Sequence, residues 1–310
     1  MNLEQLRGFV EVARLGHFTR ASEHLHLAQP SLSRQISTLE RELGAELFHR
    51  ARGHIALTAA GETLLPRAQR MLAEAEAIRE EMDELAGLRR GRVRLGAPPT
   101  LCISLVAEAI GVFRSAHAGV DLELTEAGSR TLVEQLAIGA LDIALVTTAE
   151  GQAPTGVSLT RTDLLAEELV VVSSATQPPL TAAASVELAE LAELPLITFD
   201  ESYELRATTD AAFRAAGLSP RPVLAGAEMD AVLRFVERGI GVAVVPAMVL
   251  LDRPGLRSAR LAHPMMSRTV SLAHRSDVTP AVAVAAMRQV IMATAVEVAR
   301  RDAAITNLMP

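Results

Sequence analysis

Lysine is missing from this 310-residue chain, so all 30 of its positive side chains are arginine. Tryptophan is missing too, tyrosine occurs once, and aromatic residues make up 3% against 49% hydrophobic residues overall. Its cores must therefore be built from Ala, Leu and Val. The single cysteine, Cys102, excludes an intramolecular disulfide and a Cys-rich metal site, and it fits a reducing compartment. No run approaches the length of a membrane span. The opening stretch MNLEQLRGFVEVARLGHF carries charges throughout and lacks an apolar signal core. A soluble, cytoplasmic protein is the expectation.

The length suits two or three domains. The net charge of -7 hides an asymmetry: residues 1–60 hold seven arginines against six acids, a net +1, and the remainder carries -8. Five of the eight histidines also fall in the first segment. A nucleic-acid partner is thus compatible with the acidic total, provided that its contact is local and N-terminal.

Asn2 with Gln5 three residues on reads as a helix cap. It is followed by Leu3, Leu6, Phe9, Val10 and Ala13 at helical spacing and closed by Gly16. Thr19 can cap a second short helix through Leu25. Pro30 fits the first position of a third helix, where its missing N–H is not needed. That helix sets Leu32, Ile36 and Leu39 on one face and stops near Leu43 at Gly44. LFHRARGHIALT then reads as two short strands around Arg52-Gly53. Helix, short helix, turn, helix and hairpin make a winged helix-turn-helix.

A long helix begins near Thr58, in which Leu64, Ala68, Met71, Ala75, Ile78, Met82 and Leu85 alternate spacings of four and three. This a/d seam implies a helix pair; the other reading is one amphipathic helix packed on its own domain. After the Gly- and Arg-containing stretch GLRRGRVRLGAPPT, strands and helices alternate. Strands are expected at Val93–Gly96, Asp121–Glu126, Ile143–Thr147, Leu169–Ser173, Leu196–Phe199, Val223–Ala225, Val242–Val245 and Thr269–His274. The pattern is α/β with mostly parallel sheets, and the region is large enough for two lobes.

The first turn of the third helix concentrates hydrogen-bonding groups. Ser31 and Ser33 suit phosphate oxygens, Arg34 can bridge guanine O6/N7, and Gln29 can bridge adenine N6/N7. Arg52 at the hairpin tip suits a narrow minor groove. An ordinary solvated helix face is the alternative for this helix taken alone. Other signals carry little. GIGVAVVP has Pro246 near where a dinucleotide fingerprint needs its third glycine. The pairs His24/His26 and His49/His54 lack zinc spacing, no P-loop or nucleophile elbow occurs, and Asp142 reads as structural. No catalytic residue, metal or cofactor is expected.

Residues 5–65, QLRGFVEVARLGHFTRASEHLHLAQPSLSRQISTLERELGAELFHRARGHIALTAAGETLL, closely resemble the DNA-binding domain of LysR-type transcriptional regulators. GSRTLVEQLAIGALDIALV and GIGVAVVPAMV extend the likeness more loosely over the rest. The resemblance implies a winged helix-turn-helix over 1–60, a dimerising linker helix over 61–90, and an α/β two-lobed effector domain over 91–310. Lobe I would span about 91–163 and 266–310, and lobe II about 164–265. It further implies a homotetramer built as a dimer of dimers on promoter DNA, a small-molecule effector, and recruitment of RNA polymerase. By position, Gln29, Pro30, Ser33 and Arg34 match the family's recognition-helix motif and Arg52 its wing, with Thr19, Ser31 and Arg50 beside them. The effector would lie between the lobes, near Thr100 and Leu101, with Ser129, Thr147, Thr198 and Phe199. This hydroxyl-rich set suits a small organic acid, with Arg206 the one nearby cation.

Overall fold

The computed structural model describes residues 1–51, 54–85, 91–149, 159–181, 185–200 and 203–309. The chain divides into two compact units, Met1–Arg90 with Glu134–Leu141, and Gly91–Val133 with Asp142–Pro310.

The first unit opens with α1 (Leu3–Leu15). The Asn2 side chain accepts from Gln5 N at 2.9 Å and the Gln5 side chain accepts from Asn2 N at 2.8 Å, which is the expected capping box. Gly16 ends the helix in the left-handed region at φ 62°. Helix α2 covers Phe18–His24. Its cap is the His17 ring nitrogen, which accepts from Thr19 N at 3.2 Å, and this corrects the expected role of Thr19. Helix α3 (Gln29–Leu43) starts one residue earlier than expected, so Pro30 takes the second position. Its Leu32, Ile36 and Leu39 are fully buried. The strands β1 (Phe48–Ala51) and β2 (His54–Leu57) pair antiparallel, with Phe48 opposite Leu57. Leu6, Phe9, Val12 and these α3 residues form one core with Leu47 and Phe48. The Phe48 ring lies 5.4 Å from Phe9 and 5.9 Å from Phe18.

Helix α4 (Ala59–Leu85) starts where the Thr58 hydroxyl accepts from Gly61 N at 3.1 Å. A Cβ on Gly61 would come within 2.3 Å of the Leu47 carbonyl oxygen, so only glycine admits this approach. The heptad seam divides along its length. Ala68 is buried and Leu64 packs on the domain core, whereas Met71, Ile78 and Met82 are about half exposed.

The second unit contains β3 (Arg92–Ala97), α5 (Pro99–Leu101), a π-helical turn over Cys102–Val106, and α6 (Ala107–Ala116). Next come β4 (Asp121–Glu126), α7 (Ser129–Ala137, of which Ser129–Val133 fall in this unit), β5 (Ile143–Ala149) and β6 (Leu159–Ser174). The chain continues through β7 (Ser185–Val186), α8 (Leu188–Glu193), β8 (Ile197–Phe199), α9 (Glu204–Ala215), β9 (Leu224–Ala227) and α10 (Met229–Glu237). It closes with β10 (Ala243–Pro246), a 3-10 turn over Ala247–Leu250, β11 (Leu256–Leu261), β12 (Ser267–Arg275), α11 (Val282–Ala299) and β13 (Ile305–Asn307).

Strand β3 lies parallel between β4 and β5, and β8 is parallel to β9. The expectation of mostly parallel sheets fails at β6. This 16-residue strand is antiparallel to β12 and β13 along its first part and to β10 and β11 along its last. It thereby runs from one half of the two-lobed fold into the other. The expectation that no segment approaches a membrane span is also corrected, because Pro99–Ala116 and Val282–Ala299 are each 18 residues long and apolar enough. Val282–Ala299 contributes Met287, Ile291, Ala295 and Val298 to the same core as Val93 and Leu95 of β3. Asp142 is structural, as expected: its carboxylate accepts from Arg94 N at 2.7 Å and from Arg94 Nη2 at 2.6 Å.

Candidate functional site

The first turn of α3 is open at its N-terminal end. Gln29, Pro30 and Arg34 are exposed, and Ser31 and Ser33 are half-buried beside them. Ala28 provides no side-chain cap, and no acid occupies the first turn. The positive end of the helix dipole is therefore left for an external acceptor. Arg34 Nε donates to the Pro30 carbonyl oxygen at 3.2 Å, which folds the side chain back toward that end. Among the described residues, its two Nη groups have no protein partner. Thr19 is exposed on α2. The Arg50 backbone pairs with Ile55 in the hairpin, while its side chain and all of Arg52 lie outside the described residues.

In the second unit, Thr100, Leu101, Ser129, Thr147, Thr198 and Phe199 are all buried, between 0% and 8% exposed, so any ligand role falls to polar atoms at their rims. The structure brings Ser129 and Thr147 together, with hydroxyls 3.0 Å apart and Thr147 N donating to Ser129 Oγ at 3.0 Å. Thr100 is engaged elsewhere: its hydroxyl accepts from Arg268 Nη2 at 3.0 Å. The Leu101 N–H donates to the Pro98 carbonyl at 2.9 Å. Thr198 accepts from Arg206 Nη1 at 2.8 Å. Arg206 also donates to the Phe199 carbonyl at 3.1 Å and to Asp210 at 2.6 Å, so it braces the end of β8.

The sequence reading missed Glu204. Its Oε1 accepts from Ser129 N at 3.2 Å, and its Oε2 accepts from Thr147 Oγ1 at 3.1 Å and Ser129 Oγ at 3.3 Å. Tyr203 beside it donates to Glu228 and stacks on Phe199 with centroids 5.5 Å apart. Burial, and then the bond to Glu228, raise the Tyr203 phenol above its ordinary range. Burial, with the nearby Glu126 carboxylate, pushes the Cys102 thiol up to about 12. Such a thiol stays protonated and is a poor nucleophile at neutral pH. A separate cavity of about 340 Å³, lined by residues including Val170, Leu250, Arg260 and Asp302, shares no residue with the Ser129–Thr147–Glu204 cluster.

Residues 86–295 match the LysR substrate binding domain, and residues 3–62 match the bacterial regulatory helix-turn-helix protein of the lysR family. The chain belongs to the LysR family. It is 33% identical over 273 residues to the uncharacterized HTH-type transcriptional regulator YybE of Bacillus subtilis, covering 88% of this chain and 92% of that protein. A full-length OxyR variant from Pseudomonas aeruginosa is 25% identical with a TM-score of 0.70, covering 100% of this chain and 99% of that one. Full-length CbnR in complex with its target DNA is also 25% identical, with a TM-score of 0.63 and coverage of 97% and 99%. This LysR-type protein is thus a DNA-binding transcriptional regulator with an effector-binding domain.

Proposed function

We propose that this LysR-type regulator reads promoter DNA with the first turn of α3 and changes that binding when a small organic acid enters the cleft between its lobes. The open, acid-free N-terminus of α3 carries the reading. There Arg34 and Gln29 face outward for base edges, with Pro30, Ser31, Ser33 and Thr19 beside them at the backbone. Arg50 and Arg52 of the hairpin take the minor groove and phosphates. On the effector side, Ser129 N–H and the Ser129 and Thr147 hydroxyls already converge on a carboxylate group, which supports an anion-binding role. Thr100, Leu101, Thr198 and Phe199 complete the proposed cleft.

In this reading the domains are 1–60, 61–90 and 91–310, with lobe I at about 91–163 and 266–310 and lobe II at about 164–265. The regulator acts in the cytoplasm without catalysing a reaction. It dimerises through α4, assembles into a tetramer, and communicates with RNA polymerase. Footprinting on DNA upstream of its own gene, with and without a panel of organic acids, tests both halves. A protected dyad whose extent changes with one compound is the expected result; no protection would overturn the DNA reading, and protection that no compound alters would overturn the sensing half.

A further inference from the structure

We propose that Glu204 is a tethered occupant of the anion seat in the cleft, and so determines which effectors the cleft accepts. This deepens the effector reading above and rests on it. Ser129 N–H and the two hydroxyls offer three donors to one carboxylate, and Glu204 takes all three. Ser129 and Thr147 belong to the half built on β3, β4 and β5, while Glu204 starts α9, which follows β8. The contact therefore joins the two halves.

Charge favours the same arrangement. Glu204 sits in the first turn of α9 and its carboxylate accepts from the first residue of α7, and an acid is favoured at each of these helix starts. Among the described residues no cation pairs with it: Arg206 is committed to Asp210 and Thr198, and Arg268 to Glu167 and Thr100. Ser129 and Thr147 are buried, whereas Glu204 itself is exposed. The donors are thus fixed and the occupant can leave. A tethered group presents itself at high effective concentration, so a free monocarboxylate competes poorly. An effector acid must gain contacts beyond this seat to displace Glu204.

Replacing Glu204 by Ala deletes the Cγ and carboxylate, a fragment the size of acetate, which makes acetate the probe. Full-length wild type, E204A and the double variant E204A/S129A are titrated with sodium acetate against sodium chloride at fixed ionic strength, and the melting temperature is followed. E204A should show a saturable acetate-specific rise, with apparent affinity at least tenfold above that of the wild type, and the double variant, which lacks the Ser129 hydroxyl, should respond more weakly than E204A. Equal responses in wild type and E204A, or no response in an E204A that melts like wild type, would overturn the proposal. If E204A does not fold, E204Q keeps the shape and removes the charge. A larger radius of gyration by small-angle scattering then supports the contact, and an unchanged radius and melting temperature overturn it. Acetate rescue of E204A with no change in its DNA footprint would keep Glu204 in the seat and overturn the reading of this cleft as the effector site.

Discussion

The Glu167 carboxylate, wholly removed from solvent, receives Nε of Arg268 at 2.8 Å and Nη2 at 2.7 Å. Met248 N donates to its second oxygen at 3.1 Å, and Arg268 Nη2 reaches on to the Thr100 hydroxyl at 3.0 Å. One buried pair thus ties β6, β12, the start of α5 and the turn after β10. Removing only the cation strands a buried charge, which costs about 3–5 kcal/mol, whereas replacing both partners by apolar groups is often close to neutral. Arg268→Met should lower the unfolding free energy of the effector domain, read from urea melts, by that amount, and Glu167→Leu with Arg268→Met should recover most of it. A single variant that melts like wild type would show that the pair is not needed where it sits.

Arg34 has the strongest claim on base recognition, because its bond to Pro30 holds the side chain at the helix end while both Nη groups stay available. A good bidentate contact to a base discriminates by about 1–3 kcal/mol. Arg34→Ala should therefore weaken operator binding by roughly tenfold to a hundredfold and relax preference at one base pair. Quantitative gel shifts on wild-type and single-substituted operators check both effects. Equal losses on every sequence would mark Arg34 as a phosphate contact instead.

Local chemistry made the N-terminal half legible. The Asn2–Gln5 box, the left-handed glycines Gly16 and Gly44, and the spacing of Leu32, Ile36 and Leu39 each depend on residues within a few positions. The same locality misled at α2, where Thr19 is a favoured capping residue type but the His17 ring takes the role. In β6, the first ten residues LTRTDLLAEE carry charge and show no regular alternation, and pairing with β12, about 110 residues later, holds them as a strand. Glu204 was invisible for a related reason. Its donors lie 75 and 57 residues away, and an acid in the first turn of a helix already has a sufficient local explanation.

The Cys102 thiol gives a chemical prediction with a definite sign. Its ordinary value of 9.0 is pushed up to about 12, first by burial and then by Glu126. The folded chain therefore keeps its proton between pH 9 and 12 while the unfolded chain loses it. That stability is fully present below pH 9 and is lost as pH rises toward 12. Cys102→Ser should flatten stability over that window. Iodoacetamide should label native Cys102 at pH 8 far more slowly than the urea-unfolded protein; equal rates would show an accessible thiolate and overturn the assignment.

The dimer contact proposed for helix α4 is open to a direct test. Among the described residues, its seam packs on the domain core at Leu64 and Ala68, while Met71, Ile78 and Met82 are 46%, 53% and 52% exposed at heptad spacing. Covering such side chains in a second copy stabilises by about 1.5–3 kcal/mol each when burial is complete, and a charge placed there reverses the gain. Ile78→Glu with Met82→Glu should shift sedimentation velocity toward the monomer. The cost to DNA binding should be largest on a two-half-site operator, because each monomer then meets its half-site alone. The isolated half-site should bind the variant and the wild type nearly equally, since the α3 reading head is unchanged. A variant that remains dimeric would move the assembly contact off this seam.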